Sequence, residues 1–202
     1  VGGLVLAFHE GPERGWTNTV TVSALVVGLL AAAVFVLVEL RREHPLVDVR
    51  VFALRGLAAG SVNLFVVFAV MFSLFLVLVQ YLQAVLGYSA LKAASGLLPM
   101  ALIMMPLSTI APTIAERIGF RRTLVTGMLL LAGGLVLFAT LADPDGGYLS
   151  VLPGILVLGT GVGLAMSPST AAITSSLPEE KQGVASALND TVREMGGAVG
   201  IA

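Results

Sequence analysis

Three ionisable side chains lie close together in the last apolar stretch of the chain, and their types and spacing suit proton transfer. Asp190, Arg193 and Glu194 precede a run of Gly, Ala, Val and Ile. Residues three or four positions apart share one face of a helix, so these side chains form one group. Carboxylates in apolar surroundings are the groups that carry proton relays in membrane proteins. We therefore predict a protonatable, cation-sensing site here.

The depth of this group depends on where its helix enters the membrane. Counting from Lys181 at about 1.5 Å per residue puts Asp190 roughly 13 Å deep and Glu194 roughly 20 Å deep. These depths bracket the middle of a hydrocarbon core about 30 Å thick. A carboxylate there costs on the order of 3 kcal/mol unless it faces protein or water. The alternative is that residues 183–194 lie flat among the headgroups and the span begins at Met195.

A second charged group occupies a short turn between two apolar stretches. The segment "AERIGFRR" contains Glu116, Arg117, Gly119, Arg121 and Arg122. An ordinary anchor of positive charge on the cytoplasmic side explains the arginines but neither Glu116 nor Gly119. The other interpretation is a charge latch between neighbouring helices, formed by Glu116 and these arginines, and both interpretations stay open.

Uncharged polar residues and glycines occur within the apolar stretches. Asn63, Gln80 and Gln83 either line a transport path or form hydrogen bonds between helices. The segment "GTGVG" lacks the spacing and the basic residue of a nucleotide loop. Gly159 and Gly163, four positions apart, instead predict a face for close helix packing.

The elements that must position these residues are membrane-spanning helices. Of the 202 residues, 57% are hydrophobic and 11% are charged, against about 25% charged in soluble domains. The mean hydropathy is +0.99. A helix needs about 20 apolar residues to cross the bilayer. Five stretches are long enough, and they are Val20–Leu40, Leu57–Leu86, Ala93–Ala115, Thr123–Ala142 and Tyr148–Leu177. Partial spans are expected at Val1–Phe8 and Gly183–Ala202. Because both ends lie within apolar runs, we expect a fragment of a longer membrane protein.

The distribution of basic residues predicts the orientation. Of the 11 Lys and Arg residues, all but two fall on one side of the alternating loops, which the positive-inside rule makes cytoplasmic. The two exceptions are Arg14 and Lys92. The cytoplasmic segments would then be 41–56, 116–122 and 178–183. Trp16, Tyr81, Tyr88 and Tyr148 cluster at the opposite ends, as an aromatic belt requires.

Several classes of function have no support in these residues. There is no cysteine, and His9 and His44 are too far apart to suggest a metal pair, so we expect no metal and no cofactor. A net charge of −1 argues against a nucleic-acid partner. Hydrolase motifs and the lysine of a nucleotide-binding loop are missing, so we do not expect an enzyme.

Four segments together resemble the major facilitator superfamily, most closely its fourteen-helix drug:proton antiporter branch. They are "FHEGPERGWTN", "REHPLVDVRVF", "QYLQAVLGYSALKAASGLLPMAL" and "GVASALNDTVREMGGAVGIA". "AERIGFRR" is similar to the family's cytoplasmic gating motif, with Glu116 at the acidic position. Pro112 replaces the usual first glycine of that motif, and Phe120 precedes the final arginines.

The resemblance implies an all-α, polytopic membrane protein with a partial major facilitator fold, mainly its C-terminal bundle. Residues 1–40 would hold the end of one helix and a full central helix. Segment 41–56 would be a cytoplasmic loop, and residues 57–202 would begin the C-terminal bundle. The missing N-terminal half would supply the other wall of the cavity.

The function implied by the resemblance is proton-coupled efflux of lipophilic or cationic drugs across the bacterial plasma membrane. Two bundles would rock about a site where substrate and proton compete for a carboxylate. Asp190 is the first choice for that carboxylate and Glu194 the second, with Arg193 adjusting both. The alternatives are a metabolite symporter of the same fold and a non-transporting membrane sensor or assembly subunit.

Overall fold

The computed structural model describes residues 2–41 and 54–202, which form eight α-helices and contain no strand. The helices are α1 Gly2–Arg14, α2 Thr19–Arg41, α3 Arg55–Gln80, α4 Ala90–Ser95, α5 Leu98–Ile118, α6 Phe120–Leu141, α7 Gly147–Ser175 and α8 Gln182–Ile201. A π-helical turn, Tyr81–Val85, extends α3, and a 3₁₀ turn, Glu179–Lys181, precedes α8. The predicted all-α class is confirmed. Most of the predicted loop 41–56 lies outside the described residues.

Five helical segments among the described residues are long and apolar enough to cross a membrane, as predicted. They are Thr19–Arg41, Arg55–Val85, Ala90–Ile118, Phe120–Leu141 and Gly147–Ser175. The third begins earlier than predicted because α4 continues into α5 through a tight turn at Gly96 and Leu97. Helix α1 also extends beyond the predicted end at Phe8, reaching Arg14, which forms an ion pair with Glu10.

Helices α1 and α2 form a hairpin. Gly15 adopts a φ of +90° between them, a conformation that favours glycine because it has no Cβ. The side chain of Asn18 accepts a hydrogen bond of 2.9 Å from the Val20 amide. Close packing follows along the pair, where Gly3 lies against Ala24 and Gly28.

Helix α7 is the centre of the remaining bundle, and its glycines allow neighbouring helices to approach closely. Gly159 and Gly163 face Met100 and Met104 of α5, which confirms the predicted packing face in "GTGVG". Gly161, between them, faces the opposite way, toward Leu131 of α6. The same sequence motif therefore packs against two helices, one on each side of α7.

Helix α3 packs against α7 on one side and against α8 on another. Gly60 of α3 lies against the Ser169 carbonyl and Ile173 of α7. On the α8 side, Gly196 lies against the backbone of Phe65, and Gly200 lies against that of Ala69. Because both numbers increase together, α3 and α8 run parallel.

Aromatic residues collect at the end of the bundle where α3 ends and α7 begins. The Tyr148 hydroxyl donates a hydrogen bond of 2.7 Å to the Gly96 carbonyl. The Lys92 ammonium group lies 3.7 Å from the centroid of the Tyr88 ring. Tyr88 and Tyr148 thus lie at one end of the bundle, and their place in an aromatic belt at the membrane interface stays a prediction.

Neighbouring glycines on α6 provide a direct test of this packing. A methyl group at Gly134 would lie 2.7 Å from the Leu158 backbone nitrogen of α7, whereas at Gly133 it would have no neighbour within 4 Å. We expect Gly134→Ala to lower the free energy of unfolding by about 1–3 kcal/mol through overpacking. Gly133→Ala should not destabilise the protein. Melting temperatures of the purified full-length protein check this, and equal effects of the two substitutions would contradict it.

Candidate functional site

Asp190, Arg193 and Glu194 follow one another within a little more than one turn of α8, and the two carboxylates are exposed. Asn189, Gly196 and Gly197 of the same helix are buried, whereas Asp190 and Glu194 are exposed. Arg193 Nη1 lies 3.9 Å from Asp190 Oδ1, and their side chains are 40% and 67% exposed. The structure thus brings Arg193 beside Asp190, and both carboxylates of the predicted group lie on the exposed side of the helix.

Arg193 also contacts α3 through its guanidinium group. Its Cζ atom lies 4.6 Å from the centroid of the Phe68 ring, within the range of a cation–π interaction. Phe68 is 6% exposed, so this contact is partly shielded from solvent. The guanidinium group therefore interacts with both a carboxylate of its own helix and an aromatic ring of the next.

The packing of α8 against α3 sets the axial level of the group within the bundle. The offset that sets Gly196 against Phe65 and Gly200 against Ala69 puts Asp190 level with Ala59, and Ile201 level with Val70. Val70 is midway along the span Arg55–Val85. At about 1.5 Å per residue, Glu194 is then roughly 10 Å, and Asp190 roughly 16 Å, from this midpoint toward the beginning of α3.

The parallel contact with α3 thus sets the level of the group within the bundle. Helix α8 runs without interruption from Gln182 to Ile201. The depth of Asp190 and Glu194 in the membrane, and the alternative of a flat segment up to Glu194, stay predictions.

Asn63 forms a hydrogen-bonded contact between α3 and α7 where α7 contains a proline. Its Nδ2 donates to Ser169 Oγ at 2.5 Å and to the Ala165 carbonyl at 3.5 Å. Ser169 Oγ in turn donates to the same carbonyl at 2.6 Å. Pro168 cannot donate a backbone hydrogen bond within α7. Asn63 and Ser169 thus supply polar contacts to α7 directly beside this proline.

The other two uncharged polar residues do not share this environment. Gln80 ends α3, Gln83 lies in the π-helical turn, and both side chains are exposed. Asn63 is 6% exposed. The interhelical interpretation therefore describes Asn63, whereas Gln80 and Gln83 lie apart from it near the other end of α3.

The segment "AERIGFRR" spans the junction between α5 and α6, and a single residue separates the two helices. Gly119 has a φ of +96°, so glycine is needed there for the backbone conformation. Its carbonyl accepts a hydrogen bond of 3.2 Å from the Thr123 hydroxyl. The backbone of this turn accounts for the glycine without a latch.

Glu116 lines a cavity of about 410 Å³ at the same end of the bundle. Helices α3, α5, α6 and α7 contribute Gly56, Pro112, Phe120 and Pro168 to its wall. Glu116, Arg117, Arg121 and Arg122 are all exposed. Within residues 2–41 and 54–202, the ion pairs are Glu10–Arg14 and Asp190–Arg193, so Glu116 does not pair with the arginines of its own turn.

Sequence reasoning did not predict two features of this region. Ser169, the partner of Asn63, is 106 positions away in sequence, and its only sequence signal is its place beside Pro168. A cavity lined by methionine and phenylalanine lies between α3 and α5. In the sequence, its residues do not differ from the other apolar residues of the two membrane spans. Among the described residues, no group of three His, Cys, Asp or Glu side chains could hold a metal ion.

The fold and the exposed charged group define the class of protein: a polytopic membrane protein made of helices, with ionisable side chains on an open face of one helix. A sequence profile of the Major Facilitator Superfamily matches residues 1–201. The chain belongs to this family, which confirms the expectation of a transporter fold rather than an enzyme.

Curated relatives carry names from drug resistance and export. The chain is 30% identical to the multidrug resistance protein Stp of Mycobacterium tuberculosis, matching 100% of this chain and 37% of that protein. It is 35% identical to the puromycin resistance protein pur8 of Streptomyces alboniger, with 100% and 41% covered. It is 33% identical to the cephamycin export protein CmcT of Amycolatopsis lactamdurans, with 98% and 41% covered. The chain thus spans about two fifths of the length of these relatives.

Replacing Asn63 tests whether its hydrogen bond holds α3 to α7. We expect Asn63→Ala to destabilise the full-length protein by roughly 0.6–2 kcal/mol, the range for hydrogen bonds between membrane helices. Gln83→Ala, which removes an exposed amide, should have no comparable effect. Thermal unfolding of Asn63→Ala, Ser169→Ala and the double variant gives the coupling energy between the pair. Strictly additive effects would show that the hydrogen bond does not stabilise the fold.

Proposed function

We propose that the complete protein is a secondary transporter that exports lipophilic or cationic drugs in exchange for protons. The observation that carries this proposal is family membership combined with an exposed, ionisable group on α8. The names of Stp, pur8 and CmcT support an export role. The missing N-terminal half would complete the transport path, because the chain covers 37–41% of these relatives.

Asp190 and Glu194 are the proposed proton-binding groups, with Arg193 as the residue that adjusts them. The exposed side of α8 gives both carboxylates access to water or to the other half of the protein. Arg193 lies between a carboxylate and the Phe68 ring, so neutralising Asp190 would change the balance of its two interactions. Glu194 lies about one helical turn after Asp190 on α8, and it is proposed as the second proton-binding group.

Glu116, Arg117, Arg121 and Arg122 are proposed to stabilise one conformation from the cytoplasmic end. Since Glu116 is not paired with its neighbouring arginines, its partner in this proposal is a basic group of the N-terminal half. The carboxylate lines a cavity between the ends of four helices, where such a side chain could enter. Closure of this contact would hold the two halves together on the cytoplasmic side.

The proposed arrangement in the membrane follows the distribution of basic residues. The chain is a multi-pass membrane protein, and we assign it to the bacterial inner membrane. Segments 41–56, 116–122 and 178–183 are assigned to the cytoplasm. Residues 1–40 would belong to the central helices of the fourteen-helix branch, and residues 57–202 to the C-terminal bundle.

Neutralising the carboxylates tests the proposed coupling. In inverted membrane vesicles carrying the full-length protein, Asp190→Asn and Glu194→Gln should each reduce proton-driven uptake of a lipophilic cationic dye at least tenfold. Substrate-induced proton release should fall in parallel. Glu180→Gln, which removes an exposed carboxylate in the turn before α8, is the matched control and should transport normally.

Unchanged transport and proton release in both variants would place the coupling carboxylate in the missing half. Failure of the wild-type protein to move any lipophilic dye would instead favour the symporter or the non-transporting alternative. Membrane abundance of each variant must be matched before rates are compared.

The latch has a separate test. We expect Glu116→Gln to shift the full-length protein toward the conformation that is open to the cytoplasm, because it removes one charge of the proposed contact. Labelling of a cysteine introduced at Ser175, which lines the same cavity, reports this opening by its rate with a membrane-impermeant maleimide. An unchanged rate relative to the Glu180→Gln background would contradict the latch.

A further inference from the structure

An apolar groove of about 360 Å³ lies between α3 and α6. Its lining residues include Ala59 and Val62 of α3 and Leu124, Val125, Met128 and Leu129 of α6. Asn63, whose amide group donates to Ser169, completes the lining. Leu124 is 7% exposed, whereas Val62 and Leu129 are 65% and 67% exposed. The groove thus has a buried floor and an exposed apolar rim on each helix.

The two helices of the groove begin at the same end of the bundle. Gly56, the second residue of α3, and Phe120, the first residue of α6, line one cavity together. Counted from the first turns of the two helices at about 1.5 Å per residue, the groove extends from roughly 5 Å to roughly 12 Å along them. With the beginnings of the spans at the membrane surface, this is the depth of the acyl chains of one leaflet, since two leaflets share a hydrocarbon core of about 30 Å.

An arginine precedes the groove on each of its two helices. Arg55 is four positions before Ala59, and Arg121 is four positions before Val125. Residues four positions apart share a helix face, so each arginine lies on the face of its helix that lines the groove. Both arginines are exposed. Positive charge therefore lies at the shallow end of the groove, on both of its walls.

Neither arginine forms an ion pair with a carboxylate among the residues that the structure describes. The ion pairs in this part of the chain are Glu10–Arg14 and Asp190–Arg193. Glu116 lies at the same end of the bundle, but it lines the neighbouring cavity between α3, α5, α6 and α7. The two guanidinium groups can therefore bind an anion, and their planar forks suit the oxygen atoms of a phosphate group.

We propose that this groove binds an anionic phospholipid of the surrounding leaflet. One acyl chain occupies the groove between α3 and α6, and the phosphate group lies between Arg55 and Arg121. The basic residues that predict this end of the bundle to be cytoplasmic also assign the lipid to the cytoplasmic leaflet. Basic pockets between membrane helices on that side are suited to anionic headgroups, and contact with the apolar lining stabilises the chain.

An anionic phospholipid uses both the charges and the groove. A free phosphate ion would contact the arginines and leave the groove unused. An apolar helix of the same protein would cover the groove without using the arginines. A zwitterionic phospholipid carries a phosphate group together with a compensating positive charge, so two adjacent arginines favour the anionic headgroup. Binding of this lipid does not depend on which substrate the transporter carries.

The arginines are tested with the purified full-length protein in phosphatidylcholine nanodiscs. These contain a trace of phosphatidylglycerol or phosphatidylcholine with a photoactivatable acyl chain, and the measured quantity is the ratio of labelling of residues 59–63 by the two lipids. We expect a ratio of at least five in the wild type and a ratio near one in Arg55→Gln and in Arg121→Gln. Arg55→Lys, which retains the charge, should have an intermediate ratio.

The matched control for charge is Arg41→Gln, which removes an exposed arginine at the end of α2. It should change the labelling ratio less than twofold. If Arg41→Gln lowers the ratio as much as Arg55→Gln does, the lipid responds to the total charge of the surface and the proposed site is wrong.

Two valines on one face of α6 test the acyl-chain contact. Val125 lines the groove and is 50% exposed, whereas Val136 is not among the lining residues and is 60% exposed. They are eleven positions apart, which is about three helical turns. Val125→Trp should fill the groove and bring the labelling ratio near one, and Val136→Trp should leave it within twofold of the wild type. Equal ratios in the two variants would overturn the proposal.

Two outcomes in the wild type would also overturn it. A labelling ratio of one would show that the groove accepts lipids without selecting an anionic headgroup. Absence of labelling by both lipids would show that another part of the complete protein covers the groove.

Discussion

The close approach of α7 to its neighbours is the constraint on which the rest of the structure depends. Helices in lipid gain little from burying apolar surface against one another, so association relies on packing and on polar contacts. Gly159 and Gly163 provide this packing toward α5, and Gly161 provides it toward α6. A buried polar contact is the Asn63–Ser169 pair beside Pro168. With α5 and α6 fixed in this way, the turn at Gly119 between them can be a single residue.

The sequence predicts the elements of this fold well because the bilayer imposes a simple rule on them. A span must be apolar over about 20 residues, and all five predicted spans satisfy that rule in the structure. The small residues of "GTGVG" likewise predict a packing face, since glycine is the residue that permits backbones to meet. The pattern does not reveal that Gly161 packs in the opposite direction, because that depends on which helices lie on each side of α7.

The site is less predictable than the fold, and the register of α8 against α3 shows why. A count from Lys181 treats α8 as an isolated helix that enters lipid at its first charge. In the bundle, the contacts of Gly196 with Phe65 and of Gly200 with Ala69 set the register. These contacts join residues more than 100 positions apart, so nothing in the sequence near Asp190 reports them. The grouping of Asp190, Arg193 and Glu194, in contrast, depends only on helical periodicity and is predicted correctly.

The two sides of α8 follow one energetic argument. A carboxylate costs least to maintain where water reaches it, and its cost rises toward the middle of the bilayer. Asp190 and Glu194 are exposed, whereas Gly196 and Gly197 of the same helix are buried against Phe65 and Phe72 of α3. The small residues let α8 approach α3 closely, while the carboxylates stay on the side that remains open. Arg193 connects the two sides, because its guanidinium group lies beside Asp190 and over the Phe68 ring of α3.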